Sequence, residues 1–448
     1  MERVDAAVET ENSERAVFGK VIRRIVPFTF VLYLVAYLDR VNVSFAALQM
    51  KPDLAFSDAV YGFGAGIFFV GYFLFEIPSN LILERVGARL WIARIMVTWG
   101  IISCCTMFVR TPMEFYGVRF LLGLAEAGFF PGILLYFTYW FPPSLQAKIV
   151  ALFMTAVAFS GVVGGPLSGL LLTLHAPLGL HGWQLLFLCE GIPSIILGVV
   201  VFFFMADNPE KAPWLTRFER ETIVTAIRRE REAYKDHNRA TIFQALASPM
   251  LWLFSVIYFL LVLGLYGLTM WLPLFLKSLS HGSDARVAML TTIPYLVGAV
   301  AMVLWARHSD VRGERAGHVA VSAFAGAIGL AVAAYMHHPV GALIAFCVAV
   351  SGIYGTFGPF WAMPSSVLTG SAAAGGLALI NSIGNLGGFW GPYLNGALQR
   401  HAHDYRPGIL CMSGAMLLAG ILVLLLARFS SARSAFTGGA SAAVSNNG

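Results

Sequence analysis

The segment LERVGARLW (83–91) follows a long apolar stretch, and the segment HSDVRGERA (308–316) follows another one later in the chain. Both contain an acidic residue, an arginine, a glycine and a second arginine in the same order. Their acidic residues, Glu84 and Asp310, lie 226 positions apart. The two copies predict an internal repeat with this period, in which each copy is a short polar loop between apolar helices.

A second pair of motifs has the same separation. Gly165–Pro166 lies in GVVGGPLSG and Gly391–Pro392 lies in GGFWGPYLNG, again 226 residues apart. Two unrelated motifs that each recur after the same number of residues indicate a parallel repeat of two similar halves. Both halves have the same orientation in a membrane only if each contains an even number of spans.

The composition is that of a membrane protein. Of the 448 residues, 58% are hydrophobic and only 12% are charged, whereas a soluble domain has about 25% charged residues. Twelve apolar stretches reach the roughly 20 residues that a spanning helix needs. We therefore predict an all-α membrane protein with twelve transmembrane helices, six in each half. The predicted spans are 25–48, 58–83, 90–109, 113–140, 146–174, 183–205, 249–276, 284–305, 317–336, 339–363, 372–398 and 407–427.

These spans divide the chain into five parts, two of which are the six-helix halves. In chain order the predicted parts are a cytoplasmic tail (1–24), the first half (25–205), a cytoplasmic linker (206–248), the second half (249–427) and a disordered cytoplasmic tail (428–448). The linker alternates acidic and basic residues at helical spacing, so we expect it to be solvated and partly helical.

The distribution of basic residues predicts the orientation, because cytoplasmic loops are enriched in Lys and Arg. With the N-terminus inside, 22 of these residues lie on the cytoplasmic side, 6 lie on the other side and 2 lie within spans. We therefore expect both termini on the cytoplasmic side of a bacterial inner (plasma) membrane. The net charge of +6 comes from short loops, so it does not indicate nucleic-acid binding.

Several long motifs identify a family. The two loop segments, RFLLGLAEAGFFPG in the fourth span and GVVGGPLSG in the fifth resemble the major facilitator superfamily over about residues 18–430. The loop motif departs from the family form, since Asn80 and Ala306 replace its leading glycine and Glu84 replaces its aspartate. The resemblance implies a secondary transporter that works by alternating access.

Within this superfamily the chain resembles the anion:cation symporters, which carry organic anions such as sugar acids, tartrate and aromatic acids. The matching segments are YLDRVNVSFA, GYFLFEIPSN, GLAEAGFFPG, WQLLFLCEGIPS and DNPEKAPWL. We therefore expect import of a small organic carboxylate coupled to protons, with sodium as an alternative coupling ion. A proton-coupled drug or metabolite exporter of the same fold is the alternative function.

Two opposite charges, Asp39 and Arg40, lie in the otherwise apolar segment YLVAYLDRVNVSFA (33–46). A charge at the bilayer centre costs at least about 2–3 kcal/mol unless it is paired or faces water. The helical rise places Arg40 just past the midplane, at the depth of Glu126 in the fourth span. We predict that Arg40 binds the substrate carboxylate through two parallel hydrogen bonds. The alternative is a structural ion pair within the helix bundle.

The coupling proton is predicted on a buried carboxyl group. Glu126 is the first candidate, because a carboxyl group in apolar surroundings can hold a proton near neutral pH. The alternative is a permanent pair with Arg119, seven residues away on the same helix face. Asp39 is the second candidate, and we expect it to face other groups than Arg40 does, such as those of the fourth span.

Other polar residues at midplane depth are predicted to contact the substrate, with bundle packing as the alternative. The second half has no acid or base at this depth, so it is expected to supply hydrogen bonds and an aromatic wall. The predicted contacts besides Arg40 are Tyr37, Tyr72, Tyr266, Trp361, Asn381 and Asn385.

Charged residues of the two loop motifs and of the fourth span are predicted to act in gating. They are Glu84, Arg85, Arg89, Arg119, Asp310, Arg312 and Arg315. A structural role is equally compatible with the position of Arg119. We also expect Glu76 to serve the gate and Glu190 to have a structural role.

The sequence lacks the motifs of the main rival classes. It has no GxSxG, P-loop, HExxH or CxxC motif, so we predict that it is not an enzyme and has no catalytic residues, cofactor or metal. A channel is disfavoured because channels show a filter segment and oligomerise around a pore. The expected partners are a small organic anion, the coupling ion and the lipid bilayer, with the protein as a monomer.

Overall fold

A computed structural model describes residues 2–174, 179–235, 248–280, 282–367, 371–402 and 404–445. Within these ranges, side chains are described except at 2–13, 147, 231, 233–235, 365–367, 371–375, 400–402 and 429–445. These parts of the chain are mostly helical and contain no β-strand. The α-helices are α1 (Glu2–Asp53), α2 (Asp58–Val86), α3 (Ala88–Cys105), α4 (Pro112–Glu126), α5 (Phe129–Trp140), α6 (Pro143–Thr173), α7 (Gly182–Phe204), α8 (Arg217–Lys235), α9 (Pro249–Leu279), α10 (Asp284–Arg312), α11 (Ala316–Tyr335), α12 (Pro339–Val367), α13 (Ser371–Asn385), α14 (Gly387–Ala402) and α15 (Arg406–Ser445).

Eleven helical segments of the described chain are long and apolar enough to cross a membrane. They coincide with eleven of the twelve predicted spans. The remaining predicted span, 372–398, lies on α13 and α14, which have 15 and 16 residues and meet at Leu386. The prediction of an all-α, multi-span protein is confirmed, with an interruption in the eleventh predicted span.

The fourth predicted span is also interrupted. The sequence analysis expected one helix over 113–140, but α4 ends at Glu126 and α5 begins at Phe129. Gly128 between them has φ = 89°, which costs glycine little and other residues much more. A Cβ atom at Gly128 would lie 2.6 Å from the Cβ of Ser79. The break therefore leaves Glu126 as the last residue of a helix.

Contacts divide the chain into two compact units. The first consists of Met1–Asn238 with Thr269–Leu296, and the second of Arg239–Leu268 with Val297–Gly448. The helix α9 contributes to both. The predicted repeat places 269–296 in its second half, whereas contacts group this segment with the first unit. The division into repeat halves remains a prediction about the sequence.

In the first unit, α1 packs against α6 and α7, α2 packs against α4, and α3 packs against α7. The glycines of α6 lie against the part of α10 that belongs to this unit. A Cβ atom on Gly165 would lie 2.6 Å from the Ala288 carbonyl oxygen, and one on Gly169 would lie 3.0 Å from that of Ala285. Small residues at this spacing let two helices approach closely.

In the second unit, α11 packs against α12 and α15. Glycines again line the close contacts. A Cβ atom on Gly391 would lie 2.5 Å from the Leu263 carbonyl oxygen, and one on Gly329 would lie 2.5 Å from the Ala349 nitrogen. The glycines of the GGFWGPYLNG motif therefore serve helix packing, as those of α6 do in the first unit.

The segments predicted as tails and linker are largely helical where they are described. The first tail (1–24) belongs to α1, and the linker contains α8, while linker residues 236–247 lie outside the described ranges. The last helix runs to Ser445, through most of the tail predicted as disordered. That prediction was made from low hydrophobicity. The tail also contains five alanines between 428 and 445, and alanine has the highest helix propensity.

Candidate functional site

Arg40 of α1 and Glu126 of α4 form a buried ion pair. The Arg40 Nε donates to Glu126 Oε1 at 2.9 Å, and Nη2 donates to the same oxygen. The side chain of Arg40 is 8% exposed and that of Glu126 is 1% exposed. The sequence analysis placed both residues at the same depth, and the structure brings them together.

Three aromatic rings surround the Arg40 guanidinium group. Its central carbon lies 5.2 Å from the ring centre of Tyr72, 5.5 Å from that of Phe68 and 5.8 Å from that of Tyr37. Cation–π attraction to such rings holds the guanidinium group in place when it is desolvated. Tyr37 and Tyr72, both predicted as substrate contacts, therefore line the surroundings of Arg40.

Arg119 is a second buried cation next to this group. It is completely buried, and its guanidinium carbon lies 5.0 Å from the centre of the Phe68 ring. None of its three guanidinium nitrogens has a hydrogen-bond partner among the described residues. The alternative of a hydrogen-bonded Glu126–Arg119 pair does not hold in this structure, because Glu126 bonds to Arg40.

Asp39 lies in a separate polar cluster. Its carboxylate accepts hydrogen bonds from Trp99 Nε1 (2.9 Å) and Ser103 Oγ (3.0 Å) of α3, from Ser194 Oγ (2.5 Å) of α7, and from Asn42 Nδ2 (3.4 Å). The expectation that Asp39 faces the fourth span is wrong. Adjacent residues of a helix point about 100° apart, and this rotation directs Asp39 towards α3 and α7 and Arg40 towards α4.

The predicted residues of the second unit lie on three helices, α9, α12 and α13. Trp361 packs edge-on against Tyr258, with ring centres 4.8 Å apart. Tyr266 is buried on α9, and Asn381 and Asn385 are half-buried on α13, one turn apart at the end that precedes Leu386. Their substrate contacts remain predictions.

The first loop motif is joined to the start of the linker. Asp207, the first residue of DNPEKAPWL, accepts a hydrogen bond from the Arg89 backbone N–H at 3.0 Å. A carboxylate at a helix N-terminus is favourable, so Asp207 stabilises the beginning of α3. Gly87 has φ = 98°, and a Cβ there would lie 2.7 Å from Asp207 Oδ1. A cavity of about 250 Å³, lined by Glu84 and Arg85 among others, adjoins this contact.

The second loop motif forms a compact turn. Arg315 pairs with Asp310 at 2.5 Å, and Arg312 is exposed. Burial raises the pKa of Glu314, but hydrogen bonds from the Gly317 N–H and from His318 outweigh it, so the pKa of Glu314 lies below its ordinary value. Its carboxylate thus caps the beginning of α11. The gating roles of both motifs remain predictions.

Sequence reasoning missed several residues of the site. They are Phe68, whose ring centre lies 5.5 Å from the Arg40 and 5.0 Å from the Arg119 guanidinium carbon, and the partners of Asp39 on other helices. Trp99 and Ser103 are four residues apart and therefore lie on one face of α3. This spacing is the feature of the sequence that indicates a shared polar neighbour. The described side chains contain no group of three or more His, Cys, Asp or Glu that could hold a metal ion.

The sequence is similar to known transporters over nearly all of its length. The family model of the Major Facilitator Superfamily matches residues 29–392. A "Putative tartrate transporter" from Agrobacterium vitis is 48% identical over 423 residues, which cover 94% of each chain. A "Quinolone resistance transporter" from Acinetobacter baumannii is 38% identical, over 92% of this chain and 95% of that relative.

The fold is also that of a solved transporter. The structure of a bacterial homologue of the human lysosomal transporter Spinster matches with a TM-score of 0.73 and 16% identity, covering 90% of this chain and 96% of that one. The predicted fold and the prediction of a transporter rather than an enzyme are confirmed. With the family model matched over most of its length, the chain belongs to the Major Facilitator Superfamily of integral membrane transporters.

Proposed function

We propose that the chain imports a small organic carboxylate together with protons, by alternating access. The observation that carries this proposal is the buried pair of Arg40 and Glu126. A guanidinium group binds a substrate carboxylate as well as it binds a glutamate side chain. Arg40 therefore has a resident partner that a substrate can replace.

The replacement couples the substrate to a proton. When a substrate carboxylate takes over the hydrogen bonds of Arg40, an ionised Glu126 would remain buried without its partner. Leaving one member of a buried ion pair uncompensated costs about 3–5 kcal/mol. A proton on Glu126 removes that cost. Proton binding to Glu126 and anion binding to Arg40 therefore favour each other, which is the thermodynamic requirement for symport.

The charges around Phe68 favour a dicarboxylate. Arg40 and Arg119 carry two positive charges against the one negative charge of Glu126. The net local charge is +1 when Glu126 is ionised and +2 when it is protonated. A dicarboxylate would balance the protonated state, and its second carboxylate would supply the acceptor that Arg119 lacks among the described residues.

The relatives support this substrate class. One of the similar chains is named for tartrate, which is a small dicarboxylate. We therefore place tartrate-like acids first among the substrates, with sugar acids and aromatic acids as further members of the class. Tyr37 and Tyr72 beside Arg40 are proposed to donate hydrogen bonds to substrate oxygens.

Export is the second candidate function, and one relative favours it. The chain is 38% identical to a transporter named for quinolone resistance. Two buried arginines at the site disfavour an organic cation as the substrate, because they would repel it. An exporter of this kind would work after loss of Arg40, whereas the proposed importer would not.

The test is uptake of labelled tartrate by the purified protein in liposomes. An inward proton gradient should drive accumulation, and an inward sodium gradient without a pH difference should not. Excess unlabelled tartrate should compete, and its neutral diamide should not. Failure of tartrate, sugar acids and aromatic acids alike to accumulate would contradict the proposal. Accumulation driven by sodium alone would contradict the proton coupling and leave the substrate class intact.

A further inference from the structure

The first unit contains two buried carboxyl groups apart from the Arg40–Glu126 pair. They are Asp39 of α1, with 0% exposure, and Glu190 of α7, with 4% exposure. Asn42, which is 1% exposed, donates to Asp39 and also lies against Glu190. The three side chains therefore form a polar layer among α1, α3, α6 and α7.

Asp39 is surrounded by donors. It accepts hydrogen bonds from an indole N–H, two hydroxyl groups and the Asn42 amide. Hydrogen bonds of this kind stabilise the ionised form of a carboxyl group. The surroundings of Asp39 therefore suit a negative charge.

Glu190 has different surroundings. Besides the neighbouring Asn42, it has among the described residues one hydrogen-bond donor, Ser168 Oγ, at the long distance of 3.3 Å. Its other oxygen, Oε2, has no hydrogen-bond partner among the described residues, and neither has Asn42 Oδ1. Buried polar atoms are nearly always hydrogen-bonded. Two buried oxygens without a donor therefore indicate that the polar layer holds a proton in addition to those of its amide and hydroxyl groups.

The charge of the layer leads to the same conclusion. Neither Asp39 nor Glu190 forms an ion pair within the described chain. Two neighbouring carboxylates buried without a cation cannot both remain ionised at moderate cost. One of them must carry a proton, and the donors around Asp39 assign that proton to Glu190.

We propose that Glu190 is a proton-binding residue of this transporter, which holds a proton in the polar layer that Asn42 joins to Asp39. The proposal rests on the proposed proton-coupled function and adds a second proton site to it. Loss of this proton would place two negative charges in one layer. The repulsion would loosen the packing of α1 against α7 and reduce transport at alkaline pH.

Few other titratable groups border this layer. Asp39 comes from α1, Cys104 from α3 lies with its sulfur against Gly191, and Cys189 precedes Glu190 on α7. The neighbour from α6 is Ser168, which does not titrate. A proton on Glu190 is therefore distinguishable from protons on Asp39 and on the two thiols by single substitutions.

The test is infrared titration of the purified protein without substrate, in which a protonated carboxyl group shows its own C=O band. We expect the wild-type protein to show a band at neutral pH that Glu190→Gln removes and that Glu210→Gln, a change in the exposed linker, leaves in place.

An unchanged band in Glu190→Gln would overturn the inference. If Glu190→Gln does not fold, Asn42→Ala is used in its place. The C=O band of Glu190 should then shift, because the neighbouring amide is gone. An unshifted band would also overturn the inference. The infrared readout needs no transported substrate. A failure of tartrate uptake with a Glu190 band present would therefore contradict the proposed function and leave this proton site standing.

Discussion

Asp39 and Arg40 are adjacent in the chain, yet their side chains belong to different polar clusters: Asp39 bonds to α3 and α7, and Arg40 bonds to Glu126 of α4. The two opposite charges thus do not neutralise each other. Arg40 is held by a partner that can be neutralised by one proton. This separation makes the two residues testable one at a time.

Arg40→Lys should weaken carboxylate binding. Lysine lacks the planar fork that meets a carboxylate with two parallel hydrogen bonds. We expect a loss of about 3 kcal/mol, or roughly 100-fold in affinity, measured as the loss of thermal stabilisation by tartrate in detergent. Arg217→Lys in the exposed helix α8 is the matched control. Full stabilisation of Arg40→Lys by tartrate would contradict the assignment.

Glu126→Gln should separate exchange from accumulation. The amide imitates the protonated carboxyl group, so substrate can still take over Arg40, but no proton moves with it. We expect tartrate exchange between the two sides of the membrane to continue and accumulation against a gradient to stop. Both are measured in liposomes with labelled substrate. If Glu126→Gln accumulates tartrate as the wild type does, the coupling proton is held elsewhere.

Asp39→Asn should lower stability. The amide nitrogen of Asn would face either Trp99 Nε1 and Ser194 Oγ or Ser103 Oγ and Asn42 Nδ2. The N–H donor on that side would lose its acceptor. A buried donor without a partner costs about 1–3 kcal/mol. Thermal unfolding in detergent measures the loss, with Asp404→Asn in an exposed loop as the control. Unfolding at the wild-type temperature would show that the three hydrogen bonds from Trp99, Ser103 and Ser194 do not hold α1 to α3 and α7.

Gly128→Ala should disturb the site through the backbone. Gly128 has a positive φ, which costs a residue with a Cβ about 1–2 kcal/mol, and the added Cβ would meet Ser79. We expect lower stability and lost tartrate uptake, because Glu126 lies two residues away. Gly117→Ala in the same span, where a Cβ would have nothing within 4 Å, should be neutral or stabilising. Equal effects of the two changes would rule out this account of the break.

The contact of α8 with α1 should weaken in acid. The Lys20 side chain bonds to Glu219 at 2.7 Å, and this bond lowers the pKa of Glu219 below its ordinary value of 4.5. A lowered pKa means that the stabilisation is present above pH 4.5 and is lost as the pH falls through the lowered value. We expect faster hydrogen exchange of α8 in acid and in Glu219→Gln, but not in Glu221→Gln. If the hydrogen exchange of α8 changes neither in acid nor in Glu219→Gln, Glu219 does not hold this helix.

The positions of the spans and the common depth of Arg40 and Glu126 were predictable from the sequence. Both follow from properties that depend on a single helix: its apolar length and its rise per residue. The repeated loop motifs, with the motifs of the fourth and fifth spans, identified the family. Depth alone was therefore enough to place the two opposite charges at the same level.

The partners of Asp39 were not predictable in the same way. Which neighbour a side chain meets depends on the rotation of its helix and on how several helices pack, and neither can be read from one segment. The break at Gly128 depends on the close approach of Ser79 from another helix. Arg119 looked like a partner for Glu126 because they share a helix face, but Arg40 from α1 bonds to Glu126 instead.

The central claim is that a proton and a carboxylate bind together at the Arg40–Glu126 pair. The most direct test is calorimetric titration of the purified protein with tartrate in two buffers of different ionisation enthalpy, at a pH where tartrate is a dianion. We predict that tartrate binding takes up a proton in the wild-type protein and takes up none in Glu126→Gln. Tartrate binding by the wild type without proton uptake would contradict the account.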